Sequence, residues 1–196
     1  MDLQESQLTQ TRREQNASER RRERNRNRII WFGVFLLFVA GTFLSFRKTK
    51  GDDLKIAAAG LPLSDFSLPD INGQIIRPAD YRTGVLLINF WATWCPHCRE
   101  EMPLLQAYYE TYRSSGLTIL AINSGDSQVE TADFVEKYRL SFPVGLDSGS
   151  RITYRLGIHN LPTSILVGID GVVKVIHVGS WTEASIQSEI TPLIDP

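Results

Sequence analysis

Cys95 and Cys98 are the only two cysteines in the chain, and two residues separate them. Thiols at this spacing can close a disulfide with little rearrangement, so the pair can cycle between dithiol and disulfide. A purely structural bridge is the bland alternative, but closing so short a loop removes little chain entropy. Half of a zinc site is another, yet no second cysteine pair exists. Of three histidines, His97 lies between the cysteines and His159 and His177 stand far apart. Redox exchange is the reading that uses both thiols. No metal site is expected, and His159 and His177 read as ordinary surface or strand residues.

Such chemistry needs a nucleophile held where its thiolate is stable. The apolar run Val85-Leu86-Leu87-Ile88-Asn89-Phe90-Trp91 reads as a buried strand leading directly into the pair. Beyond it, Cys98, Met102, Leu105, Tyr109 and Tyr112 recur at helical spacing, which predicts an amphipathic helix over about 96–114. A strand, a tight turn and a helix beginning at Cys95 place that sulfur among unpaired N–H groups at the positive end of the helix dipole, which favours a thiolate. Pro96 suits the first helical turn, where its missing N–H is no loss. Pro103 should kink the helix by removing one backbone bond.

From these positions Cys95 is the expected exposed nucleophile. Cys98, one turn in and more buried, is expected to resolve the mixed disulfide by attacking Cys95. His97, when protonated, can stabilise the Cys95 thiolate. Trp94 offers an apolar contact surface beside the nucleophile.

The rest of the chain supplies a scaffold. Phe66–Leu68 and Gln74–Arg77, joined through Asp70-Ile71-Asn72-Gly73, read as a hairpin with an Asn-Gly turn. Further predicted elements are a strand over 117–123, a helix over 128–139, a short extended piece over 142–147 and a short helix over 150–156. A hairpin of 163–169 with 172–178 turns at Asp170-Gly171, and a last helix over 183–190 should stop ahead of Pro192. Strands alternating with helices and ending in a hairpin give a mixed-sheet α/β layer fold.

The stretch Phe90-Trp91-Ala92-Thr93-Trp94-Cys95-x-x-Cys98-Arg99-x-Glu101-Met102-Pro103 resembles the thioredoxin superfamily, and within it the membrane-tethered TlpA/ResA-type thiol–disulfide oxidoreductases. Asp65-Phe66-Ser67-Leu68-Pro69-Asp70-x-Asn72-Gly73 precedes it and Leu161-Pro162-Thr163 follows it in the expected order. The resemblance covers roughly residues 61–196. It implies a thioredoxin-like central mixed sheet flanked by helices, and the same roles for the two cysteines. It also makes Pro162 a cis-proline facing the pair, with the backbone around Leu161 meeting the substrate chain; X-Pro bonds are where cis peptides occur.

Asn89 departs from thioredoxin itself, which carries a buried aspartate there. A neutral amide cannot take the proton of Cys98. Glu101, three residues after Cys98, can, and the TlpA/ResA type carries a glutamate at that place; pairing with solvent or an arginine is the alternative.

Charge divides the 196-residue chain. Residues 1–50 hold eleven Lys/Arg against five Asp/Glu, whereas 51–196 hold ten against seventeen. The acidic globular part gives no reason to invoke nucleic acid. Residues 1–28 are polar, carry eight arginines between Arg12 and Arg28, and read as a disordered cytoplasmic tail. Ile29–Phe46 is an uncharged run of eighteen residues, spanning about 27 Å as a helix against roughly 30 Å of hydrocarbon. It reads as an uncleaved transmembrane anchor with the arginine-rich side in the cytoplasm. Residues 47–60 form a linker, and 61–196 the redox domain, placed outside the cytoplasm.

The resemblance implies a reductant of protein disulfides, typically those of apocytochrome c before haem attachment, supplied by a membrane thiol-transfer protein. No cofactor is expected beyond the Cys95–Cys98 disulfide itself. Net oxidation or isomerisation of secreted thiols is the alternative, suggested by the Cys-Pro-His-Cys motif. A metal-binding chaperone would want a longer cysteine spacing, and a thiol peroxidase would want Thr where Ala92 stands.

Overall fold

A computed structural model describes residues 56–194. The tail, the anchor and most of the linker lie outside the described residues, among which no helix is long and apolar enough to cross a membrane. Ala57 and Gly60, read as the end of the linker, donate to the carbonyls of Leu156 and Val173 at 3.0 and 2.9 Å.

The apolar run forms β3 (Val85–Trp91), preceded by the short strands β1 (Leu68–Pro69) and β2 (Ile75–Ile76). Next come α1 (Pro96–Tyr112), β4 (Leu117–Ser124), α2 (Gln128–Tyr138), β5 (Val144–Asp147) and α3 (Arg151–Arg155). The chain closes with β6 (Thr163–Val167), β7 (Val173–Val178), α4 (Glu183–Glu189) and α5 (Thr191–Ile194). Five strands make one sheet in the order β5-β4-β3-β6-β7. β4 is parallel to both β3 and β5, while β6 is antiparallel to β3 and β7.

β3 is central and every one of its seven residues is buried. Its side chains alternate between two cores, as the period of a strand requires. Val85, Leu87 and Trp91 face Cys98, Met102 and Leu105 of α1, whereas Leu86, Ile88 and Phe90 face Phe66, Leu68, Leu156 and Ile158. A strand covered on both faces reads as continuous apolar sequence rather than alternation. Asn89 is therefore a polar side chain with no exit to water, and needs partners inside.

The first hairpin is shorter than expected. The Asp70 carboxylate accepts from the N–H groups of Asn72 and Gln74, both at 2.8 Å, and so takes over hydrogen bonding that a longer ladder would use. Gly73 has φ +81° while Asn72 does not enter the left-handed region, so this is not the two-residue turn that an Asn-Gly pair first suggests. The helix assignment runs unbroken through Pro103. After α4, Pro192 sits in the first turn of α5, a helical turn the sequence reading did not separate.

Candidate active site

β3 pairs Phe90 with Thr163 and Trp91 with Asn123. That register gathers three loops at the C-terminal end of β3: the turn 92–95, the loop after β4 and the chain entering β6. Clefts at such strand ends are where open α/β sheets place their chemistry.

Cys95 caps α1, its Sγ accepting the Cys98 N–H at 3.2 Å, and Pro96 occupies the first helical position. The two cysteines form a disulfide with Cα atoms 5.3 Å apart. Cys98 is fully buried as expected, but Cys95 is only 4% exposed, so in the oxidised protein the nucleophile is not the open group the sequence suggested. Its sulfur is bonded to Cys98 and lies over the first turn, where it accepts the Cys98 N–H. Trp94 stands beside it at 67% exposure, and the Leu161–Pro162 bond is cis.

The turn into the helix is held from across the sheet. Asp126, nearly buried in the loop after β4, accepts from the Thr93 N–H and from Asn123 Nδ2, each at 2.7 Å. Sequence reading missed Asp126 because a Gly-Asp-Ser string looks like an ordinary solvent turn.

Glu101 is 1% exposed and lies in a closed set of partners. Its Oε1 accepts from Asn89 Nδ2 at 2.8 Å and its Oε2 from the Trp181 backbone N–H at 2.9 Å. Burial pushes the Glu101 carboxyl up from 4.5 to about 7, opposed by the Trp181 and Asn89 hydrogen bonds. The alternative of a solvated or arginine-paired surface carboxylate does not hold. A buried acid poised there can take or give a proton at neutral pH, one turn along the helix from Cys98.

His97 engages a neighbouring carboxylate. Its exposed ring places Nδ1 3.2 Å from Glu100 Oε2, an i,i+3 pair on the helix surface. An exposed imidazole engaged by a carboxylate has less to give a neighbouring thiolate. The potential is expected to lie between that of thioredoxin, about −270 mV, and that of DsbA, about −120 mV. His97→Ala should move it by no more than about 30 mV, toward more negative values. Equilibration in glutathione buffers checks this, and a larger drop would restore His97 as a thiolate stabiliser.

His177 stacks on the Trp181 ring at 3.9 Å between centroids, with Nδ1 3.3 Å from Glu189. His159 lies beside Tyr154. Among the described residues no group of three or more His, Cys, Asp or Glu is placed to hold a metal ion. A cleft of about 240 Å³ is walled by Trp94, the neighbour of Cys95, together with Tyr154, Ile158, His159 and Leu161.

Comparison with known proteins agrees with this geometry. Residues 59–176 match the model of the AhpC/TSA family. The chain is 32% identical over 169 residues to a thiol-disulfide oxidoreductase ResA of Halalkalibacterium halodurans, covering 85% of this chain and 96% of that one. It is 35% identical over 157 residues to a ResA of Geobacillus thermodenitrificans, covering 80% and 90%. Among solved structures, a putative thiol:disulfide interchange protein DsbE from Chlorobium tepidum superposes with a TM-score of 0.66 at 25% identity, over 70% of this chain and 99% of that one. The fold is thioredoxin-like: a central mixed sheet flanked by helices.

Proposed function

Because the chain belongs to the AhpC/TSA family, and within it to the ResA-type thiol–disulfide oxidoreductases, we propose that it works outside the cytoplasm as an anchored reductant of protein disulfides, such as those of apocytochrome c before haem attachment. Thiol–disulfide exchange itself follows from the family and the Cys95–Cys98 pair. The observation that carries the proposed mechanism is Glu101, buried one turn beyond Cys98 and held by the Asn89 and Trp181 donors.

In the reduced protein the Cys95 thiolate, favoured by the start of α1, attacks one sulfur of the substrate disulfide and expels the other as a thiolate. Glu101 accepts the proton of Cys98. Cys98 then attacks Cys95 Sγ, forming the Cys95–Cys98 bond and releasing the second substrate sulfur, which takes up the proton. Two electrons pass from the dithiol to the substrate. A membrane thiol-transfer protein would return them by the reverse exchange. The chain around Leu161 and Pro162 would meet the substrate backbone, with Trp94 as an apolar contact. The oxidant reading leaned on His97, and the pairing of that ring with Glu100 weakens it.

Location outside the cytoplasm rests on residues 29–46 as an anchor and on the arginines before it. A reporter active only in the cytoplasm, fused after Pro196, should be silent, while one active only outside should work. The opposite pattern would reverse the orientation and remove extracytoplasmic substrates from the reading.

A further inference from the structure

The two donors to Glu101 must themselves be held in place. One hydroxyl does it. Ser164 Oγ, on β6 and 1% exposed, accepts from Asn89 Nδ2 at 3.0 Å and from the Trp181 indole Nε1 at 2.9 Å. Asn89 and Trp181 are the two residues that donate to the two oxygens of Glu101. Three distant parts of the chain thus close a ring of hydrogen bonds around the carboxylate, with Ser164 opposite it.

We propose that Ser164 is a positioning residue for the proton step: by accepting from both Asn89 and the Trp181 indole, it aims their donors at Glu101 and keeps that carboxylate available to receive the Cys98 proton. The inference rests on the proposed role of Glu101 as base.

The orientation of Asn89 depends on Ser164. Its Oδ1 is buried and has no partner among the described residues, so only the two bonds made by Nδ2 fix which end of the amide faces Glu101. Without the Ser164 acceptor, the amide can present Oδ1 instead, which suits a protonated acid and repels a carboxylate. Trp181 loses its indole anchor at the same time, and its backbone N–H is then less firmly aimed. Both changes weaken hydrogen bonds that favour the ionised acid, so the acid must hold its proton to higher pH.

Two titratable groups stand beside this ring: Cys98, on the same helix as Glu101, and His177, which stacks on the Trp181 ring and pairs with Glu189 of α4. His177 makes no hydrogen bond to the Glu101 carboxylate, whose partners are Asn89 and Trp181.

The test follows the full chain, reduced and then mixed with a chromogenic aromatic disulfide. Two absorbance steps separate attack by Cys95 from release of the second thiolate by Cys98. In Ser164→Ala the first step should stay within about twofold of wild type, and the midpoint of the second should rise by about one pH unit. That makes release about tenfold slower below the midpoint and equal to wild type well above it. Trp181→Phe, which removes only the indole donor, should shift the midpoint the same way by less. His177→Phe should leave it in place.

If wild type shows no release step dependent on Glu101, the base reading fails and the role of Ser164 with it. If Glu101→Gln removes the midpoint but Ser164→Ala follows the wild-type profile, the base stands and the proposal is overturned. A Ser164→Ala protein that melts earlier and slows both steps equally at every pH would make Ser164 a packing residue only, as would a midpoint that follows His177 instead.

Discussion

Cys98→Ala should turn the protein into a trap, with turnover falling by at least about 10³-fold while first attack on a disulfide survives. Cys95 caps α1 and keeps the helix start whichever residue stands at position 98, so its thiolate remains favoured. What is lost is the internal nucleophile. Cys98, fully buried and bonded to Cys95 across a Cα separation of 5.3 Å, is the thiol placed to break the mixed disulfide. With alanine there, the bond between Cys95 and the substrate sulfur waits for an external thiol. Cys95→Ala should instead abolish attack altogether and capture nothing. The measurement is non-reducing electrophoresis of each variant expressed in its own host, followed by identification of whatever is bound to Cys95. Apocytochrome c in the adduct supports the proposed substrate, and secreted proteins without haem-attachment cysteines would favour the oxidant or isomerase reading. Adduct from Cys95→Ala and none from Cys98→Ala would mean that Cys98 is the attacking thiol and would invert the assignment.

The parts of the fold that were legible in the sequence are those whose pattern is local. Val85–Trp91 was readable because a strand buried on both faces has to be apolar throughout, and α1 because Cys98, Met102 and Leu105 repeat on one face. The first hairpin was overextended because the carboxylate of Asp70, a single side chain, replaces ladder bonds. At the site, the cysteines and Glu101 stand within seven positions of one another and were found together. The residues that govern Glu101 were not, since the Trp181 N–H comes from 80 positions away and the Ser164–Asn89 bond spans 75. Nothing in a serine of an apolar strand or a tryptophan before a helix marks them as partners. The usable signal was Asn89 itself, a polar residue in a fully buried strand, whose need for internal partners implied a network without naming it.

Glu101→Gln should slow release of the mixed disulfide by about 10²-fold above pH 7, leave first attack by Cys95 unchanged, and erase the midpoint near neutrality from the release step. The same substitution has a signature in stability that needs no substrate. In the oxidised protein Glu101 titrates at about 7 against an ordinary 4.5. Between those values the folded state keeps a proton that the unfolded chain has released. Its contribution therefore favours the folded state less and less as pH rises through this window, and is constant above about 7. The full excursion is roughly 3 kcal/mol. Glutamine has no such proton to lose, so the variant should lack this slope and unfold at higher urea than the parent at pH 8, with the difference shrinking toward pH 5. The gain should fall short of the full excursion, because glutamine can accept from only one of the two donors that Glu101 satisfies. Urea titrations of the oxidised proteins across this range decide it. Parallel pH profiles for parent and variant would mean that Glu101 titrates in the ordinary carboxylate range, ionised on both sides of folding, and would leave the proton of Cys98 to water.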